Sequence, residues 1–405
     1  MHIIYFHQHF STPQGAGGTR SYEMAKKLIL QGHTVTMVCG SSDRGCTGLT
    51  DSFLKGRRSG VVDGVNVIEF DLSYSNSDAF LRRFRLFMLF ALRSVLLSLT
   101  LKYDVVFATT TPLTAGIPGV FARWIRGKIF VFEVRDLWPE LPKEMGVITN
   151  PFVLSSISFL EWLCYHSAHK CIALSPGILE GIARRGVSKS KIKMIPNGCD
   201  LDIFNSSSNK WRPKEVKSTD FMAVFAGAHS TANGLEALLD VASELKNRQL
   251  NDIKIVLIGQ GKLKPVLRKK AQDAGLDNIV FHESVSKYKL SGLMKSADLG
   301  LQILANVPAF YYGTSPNKFF DYIAAGLPVL NNYPGWLAEI IESNKCGYVV
   351  EPGNPKCFAA ALEDAFNNRN KLRGMGKNAK ALAKRDFNRT SLAEDWSDWV
   401  LGVDR

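Results

Sequence analysis

Apolar residues along this chain gather in short unbroken runs separated by turn residues, and between the runs their spacing opens to three and four. The runs at 1–6, 35–39, 104–108 and 129–134 are largely continuous rather than alternating, the pattern of parallel strands covered on both faces. Helical spacing fills 20–32 and 114–125. The first half therefore predicts an α/β domain of the doubly wound kind. A polar stretch at 205–210, Asn-Ser-Ser-Ser-Asn-Lys, then reads as a linker, and the pattern restarts. Strands are predicted at 221–225, 254–258, 279–281, 299–304, 329–330 and 347–351, with helices at 234–245, 287–296, 318–326, 336–343 and from 356 onward. The expected domains are 1–205 and 206–385, with 386–405 a helix packing back toward the first. Two α/β domains of similar size predict a cleft, and such interfaces are preferred ligand sites.

Length and composition narrow this without changing it. The 405 residues exceed one ordinary core, and 46% hydrophobic against 21% charged residues is globular composition. Seven cysteines, odd in number and without a C-x-x-C pair, argue against a disulfide framework or a zinc site. The first ten residues, MHIIYFHQHF, show no basic region followed by a small-residue cleavage site, so the expectation is a chain kept in a reducing cytoplasm. The formal charge of +13 favours polyanionic partners: nucleic acid, nucleotide phosphates or an anionic membrane.

The segment 81–102 gives that charge a place. It carries Arg82, Arg83, Arg85, Arg93 and Lys102, no acid, and long apolar runs. Arg93 interrupts it too early for a spanning helix. It reads either as a core helix with its arginines in water or as a helix lying in the membrane interface. Residues 1–205 hold 23 basic and 16 acidic side chains, and the rest keeps an excess of 6, so the positive balance is shared. No aromatic-interleaved basic motif supports a nucleic-acid partner.

Candidate chemistry begins with glycines. Gln14-Gly-Ala-Gly-Gly-Thr-Arg20, including Gly17 and Gly18, follows the first strand and opens a helix, where a bare backbone and free N–H groups favour an anion. Ala226-Gly-Ala-His-Ser-Thr-Ala-Asn-Gly234, with Gly227, His229 and Asn233, and Ile258-Gly-Gln-Gly261, with Gly259 and Gly261, follow two strands of the second half. Open α/β sheets bind ligands at such strand ends. In 312–330 a polar loop with Ser315, Pro316 and Asn317 leads into a helix carrying Lys318 in its first turn and Asp321 one turn on. Amides at that helix start suit a diphosphate, Lys318 adds charge, and Asp321 suits a ribose diol. Asp200-Leu-Asp202 is formally a D-x-D, but two carboxylates alone do not make a hard-cation site, and the histidines form no zinc pattern.

The segment Pro316-Asn-Lys-Phe-Phe-Asp-Tyr-Ile-Ala-Ala-Gly-Leu-Pro-Val329 resembles the donor-site signature of retaining GT-B glycosyltransferases of family 4. The Gly17-Gly18 loop, Ile195-Pro-Asn-Gly-Cys-Asp-Leu-Asp-Ile-Phe204 and Gly259-Gln-Gly261 are similar to further family segments, in order. Glu133-Val-Arg-Asp-Leu-Trp-Pro-Glu140 resembles the branch that builds bacterial O-antigen and capsule, including N-acetyl-L-fucosamine transferases. The resemblance implies a GT-B fold, two Rossmann-like domains facing a central cleft, and a nucleotide-sugar donor on the second domain. It puts the base near Gly259–Gly261 and Val285, the ribose at Asp321 and the diphosphate at Ser315–Lys318 and the Gly15–Gly18 loop, with Arg20, Lys318 and backbone amides supplying the neutralising charge. Arg135, Asp136 and Glu140 become acceptor-side candidates, with Asp136, Lys318 and Asp321 the catalytic set. The implied partners are a UDP-linked sugar, a polyprenyl-diphosphate-linked acceptor and the anionic inner face of the cytoplasmic membrane, met through Arg82, Arg83, Arg85 and Arg93. No metal, other cofactor or nucleic acid is implied, and nothing in the chain sets an oligomeric state. Two departures stand out: the family's E-x7-E pair falls on Gly313 and Asp321, and its basic pair on Ala228 and Asn233. A nucleotide-sugar epimerase would share the fold and the phosphate loops, and a basic nucleic-acid binder would share the charge.

Overall fold

The computed structural model describes residues 1–43, 45–75, 78–206 and 209–403, so Ser207 and Ser208 of the expected linker lie outside the described residues. The chain divides into two compact units, one of 1–197, 312–315 and 389–405, the other of 198–311 and 316–388. Residues 198–205, counted with the first domain from sequence, thus join the second, because the helix at Leu201–Asn205 packs on helices of that unit.

The first unit holds strands β1 (His2–Phe6), β2 (Thr34–Ser42), β3 (Arg57–Val62), β4 (Val65–Tyr74), β5 (Val105–Thr109), β6 (Ile129–Val134), β7 (Lys170–Ala173) and β8 (Ile192–Met194). Their order in the sheet is β3-β4-β2-β1-β5-β6-β7-β8, parallel except for the β3–β4 hairpin. β5 is buried from end to end and β1 from Ile3 on, as their unbroken apolar runs require. Helix α1 (Arg20–Leu30) connects β1 leftward to β2, whereas α2 (Phe80–Thr100), α3 (Ile117–Arg126) and α4 (Pro151–Ser167) serve rightward crossovers. Right-handed crossovers therefore put α1 on one face of the sheet and α2, α3 and α4 together on the other.

In the second unit β9 (Phe221–Ala226), β10 (Ile253–Ile258), β11 (Ile279–His282), β12 (Leu299–Gln302), β13 (Val329–Asn331) and β14 (Gly347–Val349) form an all-parallel sheet, ordered β11-β10-β9-β12-β13-β14. Counted within the unit, that is the doubly wound order 3-2-1-4-5-6, reversing between β9 and β12. Helices α5 (Lys287–Met294) and α6 (Asn317–Ala325) follow β11 and β12. The last helix, α7 (Arg389–Leu401), packs on α1 of the first unit and buries Trp396 between Tyr5 and Phe107.

Candidate active site

Both sheets change direction at one point, and ligands of open α/β sheets bind beyond the carboxyl ends of the strands there. In the second unit the loop after β9 lies at that point and carries Gly227 to Asn233. The Asn233 amide group donates to the Ala228 carbonyl at 2.7 Å, and its Oδ1 accepts from Lys318 Nζ at 2.9 Å. Lys318 leaves the first turn of α6 and lies over the Phe225 ring, 5.0 Å from its centroid. Burial with no carboxylate partner pushes its ammonium down to about 7. Asn317 Oδ1, at the helix start, is buried without a hydrogen-bond partner.

The glycines here do more packing than sequence alone suggests. Gly259 has φ +148°, and a Cβ on it would fall 1.9 Å from the Gly227 carbonyl oxygen; one on Gly261 would fall 2.2 Å from that of His229. Gly259 and Gly261 thus let the loop after β10 lie directly on the loop after β9. The His229 N–H donates to the Gln260 carbonyl at 2.9 Å, and its buried ring sits between Phe225 and Phe281. Lys264, which no sequence motif marks, secures the crossing by donating to the carbonyls of Gly259 and His282 at 3.0 Å and pairing with Glu283 at 2.7 Å. Val285 packs, partly buried, against the cluster that includes Val224, Ile258 and Val280.

Asp321 is buried and is not a lone diol acceptor. Lys287, opening α5, meets its Oδ1 at 3.0 Å and also pairs with Asp200. The three side chains are 4–9% exposed, which makes Asp200 one arm of a buried carboxylate–ammonium–carboxylate cluster and explains the apparent D-x-D. Pro316 caps α6. Ser315, on the first unit's side of the division, accepts from the Asn197 backbone N–H at 3.0 Å.

In the first unit Gly17 is tight against Ser11, where a Cβ would lie 3.1 Å from the serine Cβ, and Gly18 continues the same loop into α1. Arg20 is not a free cation. It is buried, pairs with Glu133 at 2.8 Å and donates to the Pro196 and Ile195 carbonyls at 2.6 and 3.0 Å. Its donors hold β6 and the chain after β8 together rather than facing a phosphate. Burial would raise the Glu133 carboxyl, but Arg20 and Arg135 outweigh it and hold it below the usual range. Arg135 donates to Thr109, Glu133 and Ser21. Asp136 follows β6 and accepts from the Thr111 hydroxyl at 2.8 Å; burial pushes its carboxyl up against that bond and against Arg135. Glu140 instead pairs with Arg184 at 2.9 Å, on a surface pocket of about 340 Å³ that includes Trp138 and Lys143. His7 and His9, beyond the end of β1, were not marked as site residues by sequence. Burial lowers both imidazoles, Arg135 adding to it, His9 to about 4, and the His9 ring lies tilted against Tyr74, centroids 4.5 Å apart.

The four arginines of the basic helix part company. Arg82 and Arg85 are exposed, Arg82 pairing with Asp78 at 3.4 Å, while Arg83 is half-buried. Arg93 turns back to donate to the Gly56 carbonyl at 3.1 Å and lies over Phe70, so it faces the β3–β4 hairpin rather than the outside. Among the described residues no helix is long and apolar enough to cross a membrane.

Comparison with known proteins brings these pieces under one family. Residues 15–198 match the model for a glycosyl transferase 4-like domain, and residues 207–382 the model for glycosyl transferases group 1. Over 51% of this chain and 50% of its own length, the D-inositol 3-phosphate glycosyltransferase of Paenarthrobacter aurescens is 26% identical. The O-antigen chain mannosyltransferase C of Escherichia coli is 23% identical over 52% of this chain and 54% of its own. The chain thus spans about half the length of these relatives. Anabaena HepE, solved in complex with UDP and glucose, superimposes over 99% of both chains with a TM-score of 0.70 at 16% identity.

Proposed function

Because the chain belongs to the GT-B glycosyltransferases of group 1, with two Rossmann-like domains, we propose that it is a retaining sugar transferase using a nucleotide-sugar donor and a polyprenyl-diphosphate-linked saccharide in O-antigen or capsule assembly. The observation that carries the reading is the Lys318–Asn233 pair at the switch point of the second sheet, beside the N-terminus of α6. Breaking the anomeric C–O bond leaves charge on the nucleotide diphosphate, and stabilising that charge is the main catalytic task. Lys318 and the amides at the start of α6 meet it, without a resident metal. Asn233 stands where the family's basic pair would, and by holding Lys318 it brings a cation to that place.

Asp321, fixed by Lys287, accepts from the ribose, and Val285 and the Gly259–Gly261 loop border the base. The acceptor hydroxyl attacks the anomeric carbon from the leaving-group face; the new C–O bond forms as the old one breaks, and the proton passes to a phosphate oxygen. Asp136 orients the acceptor. The E. coli mannosyltransferase supports the O-antigen setting, and HepE, solved with UDP, supports a UDP-linked donor. The D-L-W-P segment at 136–139 favours UDP-N-acetyl-L-fucosamine or another UDP-N-acetylhexosamine. The enzyme works at the inner face of the cytoplasmic membrane.

A panel of labelled nucleotide sugars, incubated with polyprenyl-diphosphate-linked saccharide, tests this: one donor should transfer label to the lipid with its anomeric configuration kept. Asp136→Asn should abolish transfer while leaving nucleotide affinity within about twofold. Release of an epimerised free nucleotide sugar, or full transfer by the variant, would overturn the respective part.

A further inference from the structure

Helix α2 shows leucine to the outside as well as to the core, where Phe90 is fully buried and Leu86, Leu89 and Leu97 pack. Its small residues Ala91, Ser94 and Ser98 are at most 1% exposed, whereas Leu81, Leu92 and Leu96 are 60–78% exposed. Helices of water-soluble domains place leucine inward and serine outward. The two neighbours on the same side of the sheet also expose large apolar side chains. On α3, Phe121, Trp124 and Ile125 are exposed; on α4, Phe152, Phe159 and Trp162. These helices form one layer. Gly119 lets α3 lie so close to β6 that a Cβ there would be 2.1 Å from the Phe130 ring, and the Trp124 indole N–H donates to Ser167 at the end of α4 at 2.9 Å.

The exposed charges carried by these helices all have one sign, although Asp78, just ahead of α2, pairs with Arg82. Neither α2 nor α3 contains an acid, and the single acid of α4, Glu161, is buried against Arg185. Arg82 and Arg85 stand among the α2 leucines, and the Arg123 guanidinium lies 5.6 Å from the Trp124 ring.

We propose that the outer faces of α2, α3 and α4 form a single monolayer-inserting surface whose partner is an anionic phospholipid bilayer, with Trp124, Ile125, Phe159 and Trp162 entering the headgroup–acyl boundary. Tryptophan and phenylalanine favour that depth, and the arginines meet the headgroups. A second copy of the chain is disfavoured as the occupant, because self-pairing would bring two acid-free cationic faces together. The surface deepens the membrane part of the function proposed above and rests on that reading only for its purpose. Its driving force is the aromatic and aliphatic layer on α3 and α4, beyond the basic segment of α2.

The test uses full-length protein and vesicles of phosphatidylglycerol with phosphatidylcholine, against vesicles of phosphatidylcholine alone. Wild type should co-sediment with the anionic vesicles, and its tryptophan emission should shift blue and be quenched by lipids brominated near the headgroup. Trp124→Asp combined with Phe159→Asp should weaken partitioning by about 100-fold, and Arg82→Glu with Arg85→Glu by about tenfold. Melting temperature should be unchanged by Phe159→Asp and by the arginine changes, whose side chains are exposed, and Trp124→Asp should lower it by no more than the loss of the hydrogen bond to Ser167 accounts for. Transfer to a water-soluble acceptor analogue should also be unchanged, which separates this proposal from the sugar chemistry. Vesicle binding unaffected by the aromatic changes, or emission insensitive to lipid, overturns the proposal. So does a wild-type dimer that Trp124→Asp dissociates while vesicle binding persists.

Discussion

Lys318 combines two properties seldom found together: it sits at a helix N-terminus, where an anion is favoured, and burial leaves its ammonium near neutrality at about 7. Before a diphosphate binds, the amine therefore gives up its proton near pH 7, and an arriving diphosphate draws a proton onto it. The sign follows. Binding favours the protonated form, so affinity is full below about pH 7 and declines as pH rises through it. A nucleotide sugar, whose diphosphate is doubly esterified, has no phosphate proton of its own to lose in this range. Its Kd should weaken by up to about 30-fold between about pH 6 and pH 8.5, the ratio of protonated fractions. Lys318→Arg should flatten the profile, because guanidinium stays charged. Calorimetric titration across this range checks both, and a flat wild-type profile would remove Lys318 from the diphosphate site. Arg20 makes the contrasting case: it is just as basic in sequence, but its donors are committed to Glu133 and two carbonyls.

Elements followed from the sequence where one local rule governs them. Unbroken apolar runs gave the central parallel strands of both sheets, because a strand covered on both faces has no polar side to show. The same rule passes over β3 and β4, whose burial alternates at the edge of the first sheet and whose hairpin turns at Asp63-Gly64. It says nothing of partners far apart in the chain: Arg20 finds Glu133 across 113 positions, and Lys287 joins Asp200 to Asp321. The segment 81–102 was legible as basic and apolar, but which residues face inward is decided by α3, which is held down by Gly119. That glycine carries an element-scale prediction. Gly119→Ala puts a methyl against the Phe130 ring, so α3 must rise from β6; such overpacking should destabilise the first unit by about 1–3 kcal/mol. Urea unfolding monitored by circular dichroism measures it, and an unchanged midpoint would mean that α3 is not seated by this contact.

At the scale of the molecule the chain leaves its first unit at 197, rejoins it briefly at 312–315 and returns finally at 389, so that unit is complete only when the C-terminal helix arrives. The return is anchored by one side chain. Trp396 is fully buried, stacked 6.0 Å from Tyr5 on β1 and edge-on 4.7 Å from Phe107 on β5, the two strands that flank the switch point of the first sheet. Around it Lys27 pairs with Glu394 at 2.7 Å and Lys193 with Asp395 at 3.0 Å, but both pairs are exposed and worth little beside the buried indole. Trp396→Ala should therefore destabilise the first unit by about 3–5 kcal/mol, whereas Glu394→Ala should remain within about 1 kcal/mol. Limited proteolysis distinguishes a local loss from a general one. If α7 is the closing element, Trp396→Ala makes the chain beyond 388 the first to be cut and exposes β1 and β5 to cleavage, while 221–388 keeps its wild-type resistance. Cleavage accelerated equally in both units would mean that the indole supports the whole chain and not the first unit alone.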